Sequence, residues 1–272
     1  ERFIEIGVAE QNLVTVASGL ARAGKIPFTS SYAAFSPGRN WEQIRTTIAL
    51  NDMPVKIVGS HAGISVGPDG ATHQMLEDIA LMRVLPNMIV IAPGDSLEAE
   101  KATIAIAKNG KPSYIRLARE KTPILSTQDS PFEVGKAYVL REGSSVSLLG
   151  TGTMTYQLLV AAELLAKQGI DAEVVHVPTI KPLDEEAIIA SAKKTGRVVT
   201  AEEGQIAAGF GGAVTELLSD RLPMPIKRVG IKDRFGESGS PPELLDHFRL
   251  TADKIVEDLK SWLDDTPRYH QH

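Results

Sequence analysis

Short apolar runs alternate with longer amphipathic stretches along the first 120 residues. The short runs predict strands, whereas apolar positions spaced three and four residues apart predict helices. The predicted strands lie at 3–6, 27–30, 55–59, 88–92 and 113–117, and the predicted helices at 11–23, 40–51, 74–85 and 96–108. Alternation of this kind predicts a parallel sheet that is covered by helices.

A proline- and serine-containing stretch interrupts this alternation between residues 118 and 136, and its composition is typical of a linker. The alternation then resumes, with strands predicted at 146–149, 172–176, 198–201 and 226–229 and helices at 156–168, 184–194, 210–219 and 251–263. We therefore predict two doubly wound α/β domains with mainly parallel sheets, at 1–122 and 136–272, joined by a linker at 123–135. We also expect that a leading strand and helix of the first domain are missing.

Composition narrows the class of protein further. Hydrophobic residues make up 43% of the 272 residues, which suits a globular protein with a real core. The net charge is −5 without a long basic run, so nothing points to nucleic acid. No apolar stretch approaches the ~18 residues that a membrane-spanning helix needs, and we expect no signal peptide. The absence of cysteine excludes disulfides and thiolate chemistry and fits the cytoplasmic location that we expect.

The segment from His61 to Gln74 is the strongest candidate for chemistry. It reads H-A-G-I-S-V-G-P-D-G-A-T-H-Q and follows a predicted strand, the position where open α/β sheets place their ligands. Three glycines, two imidazoles and one carboxylate offer too little apolar surface for a packing role. His61, Asp69 and His73 therefore predict hydrogen bonding and proton transfer to a polar substrate. The structural alternatives are a turn at Asp69 and a helix N-cap at Thr72.

Two charged residues at the ends of elements are further candidates. Glu10 opens a helix lined with small residues, although an acid there is also favoured by the helix dipole. Arg119 follows the strand predicted at 113–117, where its guanidinium suits a phosphate or carboxylate, and the structural alternative is a salt bridge with Glu120. Arg116 lies three residues earlier, so the period of a strand directs the two arginines to opposite faces.

Aromatic residues precede the helix predicted at 40–51. Phe28, Tyr32 and Phe35 are ordinarily expected in the core at such a turn, but they also suit a stacking wall for an aromatic ring. Spacing alone does not choose between these two interpretations.

Together these motifs resemble the second half of transketolase, an enzyme that depends on thiamine diphosphate (ThDP). The resemblance covers nearly the whole chain and rests on the order and spacing of Gly7-Val-Ala-Glu10-Gln, Phe35, His61, Asp69-Gly-x-Thr-His-Gln74 and Arg119. It implies a pyrimidine-binding domain followed by a transketolase C-terminal domain. It also implies transfer of a two-carbon ketol unit from a ketose phosphate to an aldose phosphate.

The resemblance implies roles for three residues at the cofactor. Glu10 is expected to be catalytic, because it would contact the aminopyrimidine ring of ThDP and supply the proton that activates it. A carboxyl held in an apolar interface can carry such a proton, which supports the assignment. Phe35 would stack on the ring, and Tyr32 would line the same pocket.

The resemblance implies roles for four residues at the substrate. His61 and Asp69 would bind substrate hydroxyls, and Arg119 would hold the sugar phosphate. His73 would assist proton transfer near the donor carbonyl. His61 and His73 are thus expected to be catalytic as well as substrate-binding.

Two departures from the family pattern carry consequences. Transketolases often have an aromatic residue where this chain has Gly38, which predicts a more open pocket around the pyrimidine. The Gly-Asp-Gly motif that holds magnesium and the diphosphate in this family is absent, so no metal ligand is assigned to this chain. We therefore expect one subunit of a split transketolase, with Mg²⁺ held mainly by an N-terminal partner subunit and an assembly containing two copies of each chain.

Three alternatives remain beside a split transketolase. A 1-deoxyxylulose-5-phosphate synthase shares the Ala-Glu-Gln and Asp-Gly-x-Thr-His-Gln segments, but it is normally one chain. The beta subunit of a 2-oxoacid dehydrogenase is also split, but it has no need of an arginine for a sugar phosphate. A non-catalytic assembly subunit is the alternative from another class, and the joint presence of Glu10, His61, Asp69, His73 and Arg119 argues against it.

Overall fold

The structure, a computed structural model, describes residues 2–269 and folds them into two five-stranded sheets flanked by helices. The elements of the first half are α1 (Glu10–Arg22), β1 (Phe28–Tyr32), α2 (Trp41–Gln43) continued by a π-helical stretch (Ile44–Ala49), β2 (Lys56–Ser60), a 3₁₀ segment (Ile64–Asp69), α3 (Asp78–Arg83), β3 (Ile89–Ile91), α4 (Ser96–Lys108) and β4 (Ser113–Arg116). Those of the second half are β5 (Tyr138–Arg141), β6 (Val146–Gly150), α5 (Met154–Ala166), β7 (Ala172–His176), β8 (Thr179–Lys181), α6 (Glu185–Thr195), β9 (Val198–Gln205), α7 (Phe210–Arg221), β10 (Ile226–Ile231), α8 (Pro241–His247) and α9 (Ala252–Asp265).

The first sheet has the strand order β1-β2-β4-β3-β8. Its first four strands run parallel, so their carboxyl ends lie at one edge of the sheet. Strand β8 comes from the second half of the chain and pairs antiparallel with β3. The two halves are therefore joined by backbone hydrogen bonds as well as by the linker.

The second sheet has the strand order β10-β9-β6-β7-β5, and all its pairs are parallel except that of β5 with β7. Strands β6 and β7 are buried along their whole length, as expected for strands covered by helices on both faces. Two α/β units with mainly parallel sheets confirm the predicted fold class.

Two expected elements of the first half are wrong. Residues 3–6 form no strand: Phe3 is 84% exposed, and no strand among residues 2–269 pairs with this segment. The helix expected from residue 74 begins only at Asp78. The cause is Gln74, which is buried and donates from its amide to the backbone oxygens of Ile64, Gly67 and Glu237. The sequence pattern also missed β5, β8 and α8, which are short.

The hydrophobic core runs across the boundary between the two halves. One cluster of buried side chains contains Val90 of β3 and Ala92, which follows that strand, together with Leu149 and Val175 from the second sheet. Burial of this apolar surface holds the two sheets against each other. Within the described residues, no helix combines the length and apolar character that crossing a membrane requires.

Candidate functional site

The candidate residues converge at the carboxyl edge of the first sheet. Tyr32 ends β1, His61 directly follows β2, and Arg119 follows β4 by three residues. Because these three strands are parallel neighbours, their ends lie side by side. This edge is where a parallel sheet presents loops to a ligand.

A cluster of aromatic rings forms the wall of the site. The rings of Tyr32 and His61 stack with centroids 3.8 Å apart and an angle of 11° between their planes. Phe35 lies parallel to Tyr32 at 6.2 Å, and the ring of His73 meets Phe35 edge-on at 5.3 Å. These four residues, expected separately from the sequence, therefore form one contiguous surface.

Glu10 lies at the first turn of α1 and is 7% exposed. Its carboxylate accepts a hydrogen bond of 2.8 Å from the guanidinium of Arg39, which also sits 4.7 Å from the ring centroid of Phe35. The buried amide of Asn40 donates to the backbone oxygen of Glu10 at 2.8 Å. Glu10 is thus held in place next to an aromatic face, rather than serving as a side-chain cap of its helix.

The histidines and Asp69 sit on a loop, residues 61–76, which we call the site loop. His61 adopts a left-handed backbone conformation with φ 54°, which is uncommon for a residue other than glycine. The hydroxyl of Thr72 lies 2.8 Å from Nδ1 of His73, so Thr72 orients that ring and caps no helix. Gln74 holds the loop from inside through two of its backbone contacts, and the third contact joins the loop to a segment outside it.

Arg119 lies between the site loop and its own strand end. Its guanidinium donates to the backbone oxygen of Val66 at 2.7 Å and lies 3.5 Å from the carboxylate of Asp69. A longer contact of 3.7 Å joins it to Glu120, the partner that the structural alternative named. The side chain is 34% exposed, so the guanidinium remains accessible to an anion.

The charge state of His61 follows from these neighbours. Partial burial, and next the positive charge of Arg119, lower the pKa of His61, while Asp69 and Glu120 act in the opposite direction. A lowered pKa favours the neutral imidazole at neutral pH, which can accept a proton or a hydrogen bond.

Arg116 has a different role from Arg119. It is buried and pairs with the carboxylate of Asp78 at 2.8 Å, an oxygen that also accepts the hydroxyl of Tyr114 at 2.7 Å. Because β4 ends at Arg116, the strand period does not decide where Arg119 points, and Arg116 itself lies 3.4 Å from the backbone oxygen of Met75 in the site loop. Because Arg116 is part of a buried charge network, however, its removal is expected to damage the fold.

Two residues beside Glu10 were not assigned by sequence reasoning. Arg39 lies outside the elements predicted from the sequence, and Asn40 is only the first residue of the helix predicted at 40–51. The structure distinguishes Asn40 because its amide is fully buried and therefore needs specific partners. Arg39 is about half exposed and carries no such signal.

A groove of about 480 Å³, lined by both polar and apolar side chains, runs beside Glu10, between residues 2–7, α1 and β1. Phe3 and Ile26, which line it, are 84% and 58% exposed, and Val8, close to Glu10 in the sequence, is 90% exposed. Exposed large apolar side chains that are close together are typical of a protein interface. Glu10 therefore lies where a second chain could cover it.

The residues present fit one half of ThDP. A carboxylate beside an aromatic face suits the aminopyrimidine, which offers ring nitrogens and a flat π-surface. Within residues 2–269 no cluster of three or more His, Cys, Asp or Glu residues is arranged to hold a metal.

Comparison with known proteins decides the family. Residues 1–124 match the pyrimidine binding domain of transketolase, and residues 135–255 match the transketolase C-terminal domain. The chain is 46% identical to the 6-deoxy-6-sulfo-D-fructose transketolase subunit of Clostridium sp. (strain MSTE9), over 94% of this chain and 79% of that one. The chain belongs to the transketolase family. This family depends on thiamine diphosphate.

Other relatives of this transketolase-family chain are split subunits or longer enzymes. A putative transketolase C-terminal section from Methanocaldococcus jannaschii is 45% identical over 96% of this chain and 84% of that protein. A 1-deoxy-D-xylulose-5-phosphate synthase from Trichormus variabilis is 40% identical over 94% of this chain, which spans only 41% of that enzyme.

Two solved structures share the fold of this transketolase-family chain. A split-gene transketolase in an inactive beta4 tetramer superposes with a TM-score of 0.92 and 44% identity, covering 98% of this chain and 86% of that one. The transketolase of Campylobacter jejuni superposes with a TM-score of 0.81 and 27% identity, covering 95% of this chain and 39% of that one. The predicted resemblance to a split transketolase subunit is thereby confirmed.

Proposed function

We propose that this chain is the pyrimidine-binding subunit of a split, ThDP-dependent transketolase that moves a two-carbon ketol unit between sugar phosphates. The observation that supports this most strongly is the grouping of Glu10 and Phe35 with the site loop at one sheet edge. ThDP, when bound, supplies a nucleophilic carbon that carries the two-carbon unit. The residues of this chain hold the cofactor, orient the sugar and move protons.

Glu10 and Phe35 act on the pyrimidine. Glu10 holds and exchanges a proton at a ring nitrogen. Arg39 fixes its carboxylate and Asn40 fixes its backbone oxygen, so the exchange needs little reorganisation. Phe35 supplies the stacking face, and Tyr32 lines the same pocket. Gly38 is required by the backbone itself, because a Cβ there would lie 2.0 Å from the backbone oxygen of Ala34, and the more open pocket stays a prediction.

His61, Asp69 and His73 act on the sugar. The neutral imidazole of His61 accepts a hydrogen bond from a hydroxyl, and Asp69 accepts another. His73, oriented by Thr72, transfers a proton near the donor carbonyl. His61 packs against Tyr32 and His73 packs against Phe35. The sugar and the pyrimidine therefore occupy neighbouring positions in this proposal.

Arg119 binds the anionic end of the substrate. Its exposed guanidinium pairs with two oxygens of a tetrahedral oxyanion, and a phosphate and a sulfonate both offer these. The 46% identical relative is a subunit for 6-deoxy-6-sulfo-D-fructose, which favours a sulfonated ketose as a second candidate donor. Assaying both donors with one acceptor distinguishes the two substrates.

The diphosphate and Mg²⁺ are held mainly by an N-terminal partner subunit in this proposal. A transketolase subunit and a split-gene transketolase among the similar proteins support such a partner, as do the groove beside Glu10 and the exposed apolar side chains near it. We propose two copies of each chain, so that each ThDP lies between a diphosphate domain and a pyrimidine domain.

Calorimetry tests the dependence on a partner. ThDP with Mg²⁺ is titrated into the chain alone, into the diphosphate subunit alone, and into their mixture. Because this chain contributes only the pyrimidine contacts, we expect weak binding alone and tight binding in the mixture. Tight, magnesium-dependent binding by the isolated chain would contradict the split-subunit proposal.

A further inference from the structure

Strand β9 of the second half ends against the site loop. Glu203, near the end of this strand, is 4% exposed, and one oxygen of its carboxylate accepts a hydrogen bond of 2.7 Å from the backbone N–H of Ser65. The other oxygen accepts a bond of 3.0 Å from the hydroxyl of Thr153. Both oxygens of a buried carboxylate are thus directed at fixed partners, and one partner belongs to the site loop.

The backbone beside Ser65 is shaped to admit this carboxylate. Gly63 has φ 89°, and a Cβ added there would lie 2.3 Å from the nearest oxygen of Glu203. A side chain at this position would therefore displace the carboxylate or the loop. Glycine meets both the left-handed conformation and the close approach.

The same strand end also holds the other stem of the site loop. The N–H of Gln205 donates to the backbone oxygen of Leu76 at 2.9 Å. The guanidinium of Arg116, fixed by Asp78, donates to the backbone oxygen of Glu203 at 2.7 Å. The end of β9 therefore contacts the site loop at Ser65 and at Leu76, on either side of Asp69 and His73.

We propose that Glu203 is a positioning residue for the candidate site, because its carboxylate fixes the amino-terminal stem of the site loop and so holds His61 and Asp69 in register with Arg119. Glu203 acts through the loop and contacts no substrate. This gives the second domain an indirect part in substrate binding, through the site loop. The inference rests on the proposed function, since that function makes the site loop the sugar-binding element.

Glu202 provides a matched control on the same strand. It is as buried as Glu203, at 2% exposed, but its carboxylate accepts from the backbone N–H groups of Phe210 and Gly211 at the start of α7. Glu202→Ala therefore removes a buried carboxylate of equal size without touching the site loop. Any effect found only in Glu203→Ala is specific to the loop contact.

Hydrogen–deuterium exchange on the isolated chain tests the contact without cofactor, partner or turnover. In Glu203→Ala we expect the amides of residues 62–66 to exchange about ten-fold faster or more, as loss of a charged hydrogen bond predicts. Glu203→Gln keeps an acceptor for Ser65 and a donor for Thr153, so its exchange should stay within about two-fold of the wild type. The proposal is overturned if Glu202→Ala accelerates these amides equally, or if Glu203→Gln exchanges as fast as Glu203→Ala.

Steady-state kinetics of the complete enzyme provide a second test of the positioning role. We expect Glu203→Ala to raise KM for the sugar substrates by about ten-fold while ThDP affinity stays within about two-fold, because Glu10 and Phe35 lie outside the site loop. An unchanged KM would overturn the positioning role. If the wild-type mixture transfers no ketol unit, the proposed function fails, and the exchange result still decides whether Glu203 holds the loop.

Discussion

Arg39 pairs with Glu10 across 29 residues of sequence, with 2.8 Å between the guanidinium nitrogen and the carboxylate oxygen. The ion pair fixes the carboxylate in one position at the first turn of α1. A role limited to the helix dipole would not require this partner. The catalytic role proposed for Glu10 requires a carboxylate that is fixed in this way.

Glu10→Gln is expected to abolish most turnover while leaving the fold and assembly intact. The amide keeps the shape of the side chain but cannot exchange the proton, a function typically worth ~10²–10⁴-fold in rate. Steady-state ketol transfer and size-exclusion chromatography measure the two effects. Glu42→Gln, at an exposed acid in α2, is the control and should retain normal activity. Near-normal turnover of Glu10→Gln would show that this acid is structural.

Arg119→Ala is expected to raise KM for anionic sugars by ~10-fold or more, since charged hydrogen bonds are worth ~1.5–3 kcal/mol. An uncharged acceptor such as glycolaldehyde should be affected much less, because it makes no contact through an anionic group. Arg221, whose side chain is 64% exposed on α7, supplies the control substitution Arg221→Ala. Equal damage with charged and uncharged acceptors would assign Arg119 to loop structure instead. Arg116 is unsuitable as a control because it is buried and paired.

The free energy of unfolding of the chain should depend on pH because of Glu202. Burial raises its pKa to about 7, above the ~4.3 of an unfolded glutamate. Between these values the folded state binds more protons than the unfolded state, so this group lowers the free energy of unfolding as pH rises from about 4 to 7. The loss is on the order of 3 kcal/mol. Glu202→Gln has no such titration, so the free energy of unfolding of the wild type minus that of the variant should fall between about pH 4 and about pH 7 in urea titrations. A constant difference would contradict the raised pKa.

Local sequence patterns were enough to predict the fold class. Strands buried on both faces give continuous apolar runs, and the runs at 146–149 and 172–176 coincide with β6 and β7. Short strands at the edge of a sheet were not predicted, because they lack such continuous apolar runs. Strand β8 spans only Thr179–Lys181 and is defined by pairing with β3, which no local pattern encodes.

The candidate site was predictable where its residues share one loop or one motif. His61, Asp69 and His73 lie within thirteen residues of sequence, and the structure brings them near Tyr32 and Arg119. Their catalytic and binding roles remain predictions. Contacts between distant segments could not be anticipated, because charge and polarity alone do not specify partners.

Two such contacts join distant segments at the candidate site. Arg39 pairs with Glu10, which is 29 residues away, and Glu203 accepts a hydrogen bond from Ser65, which is 138 residues away. Both depend on the arrangement of whole sheets rather than on local sequence. The false helix start at Gln74 has the same origin, since that side chain is satisfied by carbonyls of other segments, including that of Glu237.

The most direct test of the split-transketolase proposal is a complementation assay. Two-carbon transfer from a ketose phosphate to an aldose phosphate is measured with ThDP and Mg²⁺ for this chain alone, for the diphosphate-binding subunit alone, and for the two mixed. We predict transfer in the mixture only, and its loss when the mixture contains Glu10→Gln. Transfer by this chain alone would contradict the proposal. The absence of transfer in a mixture that forms a stable complex would contradict it as well.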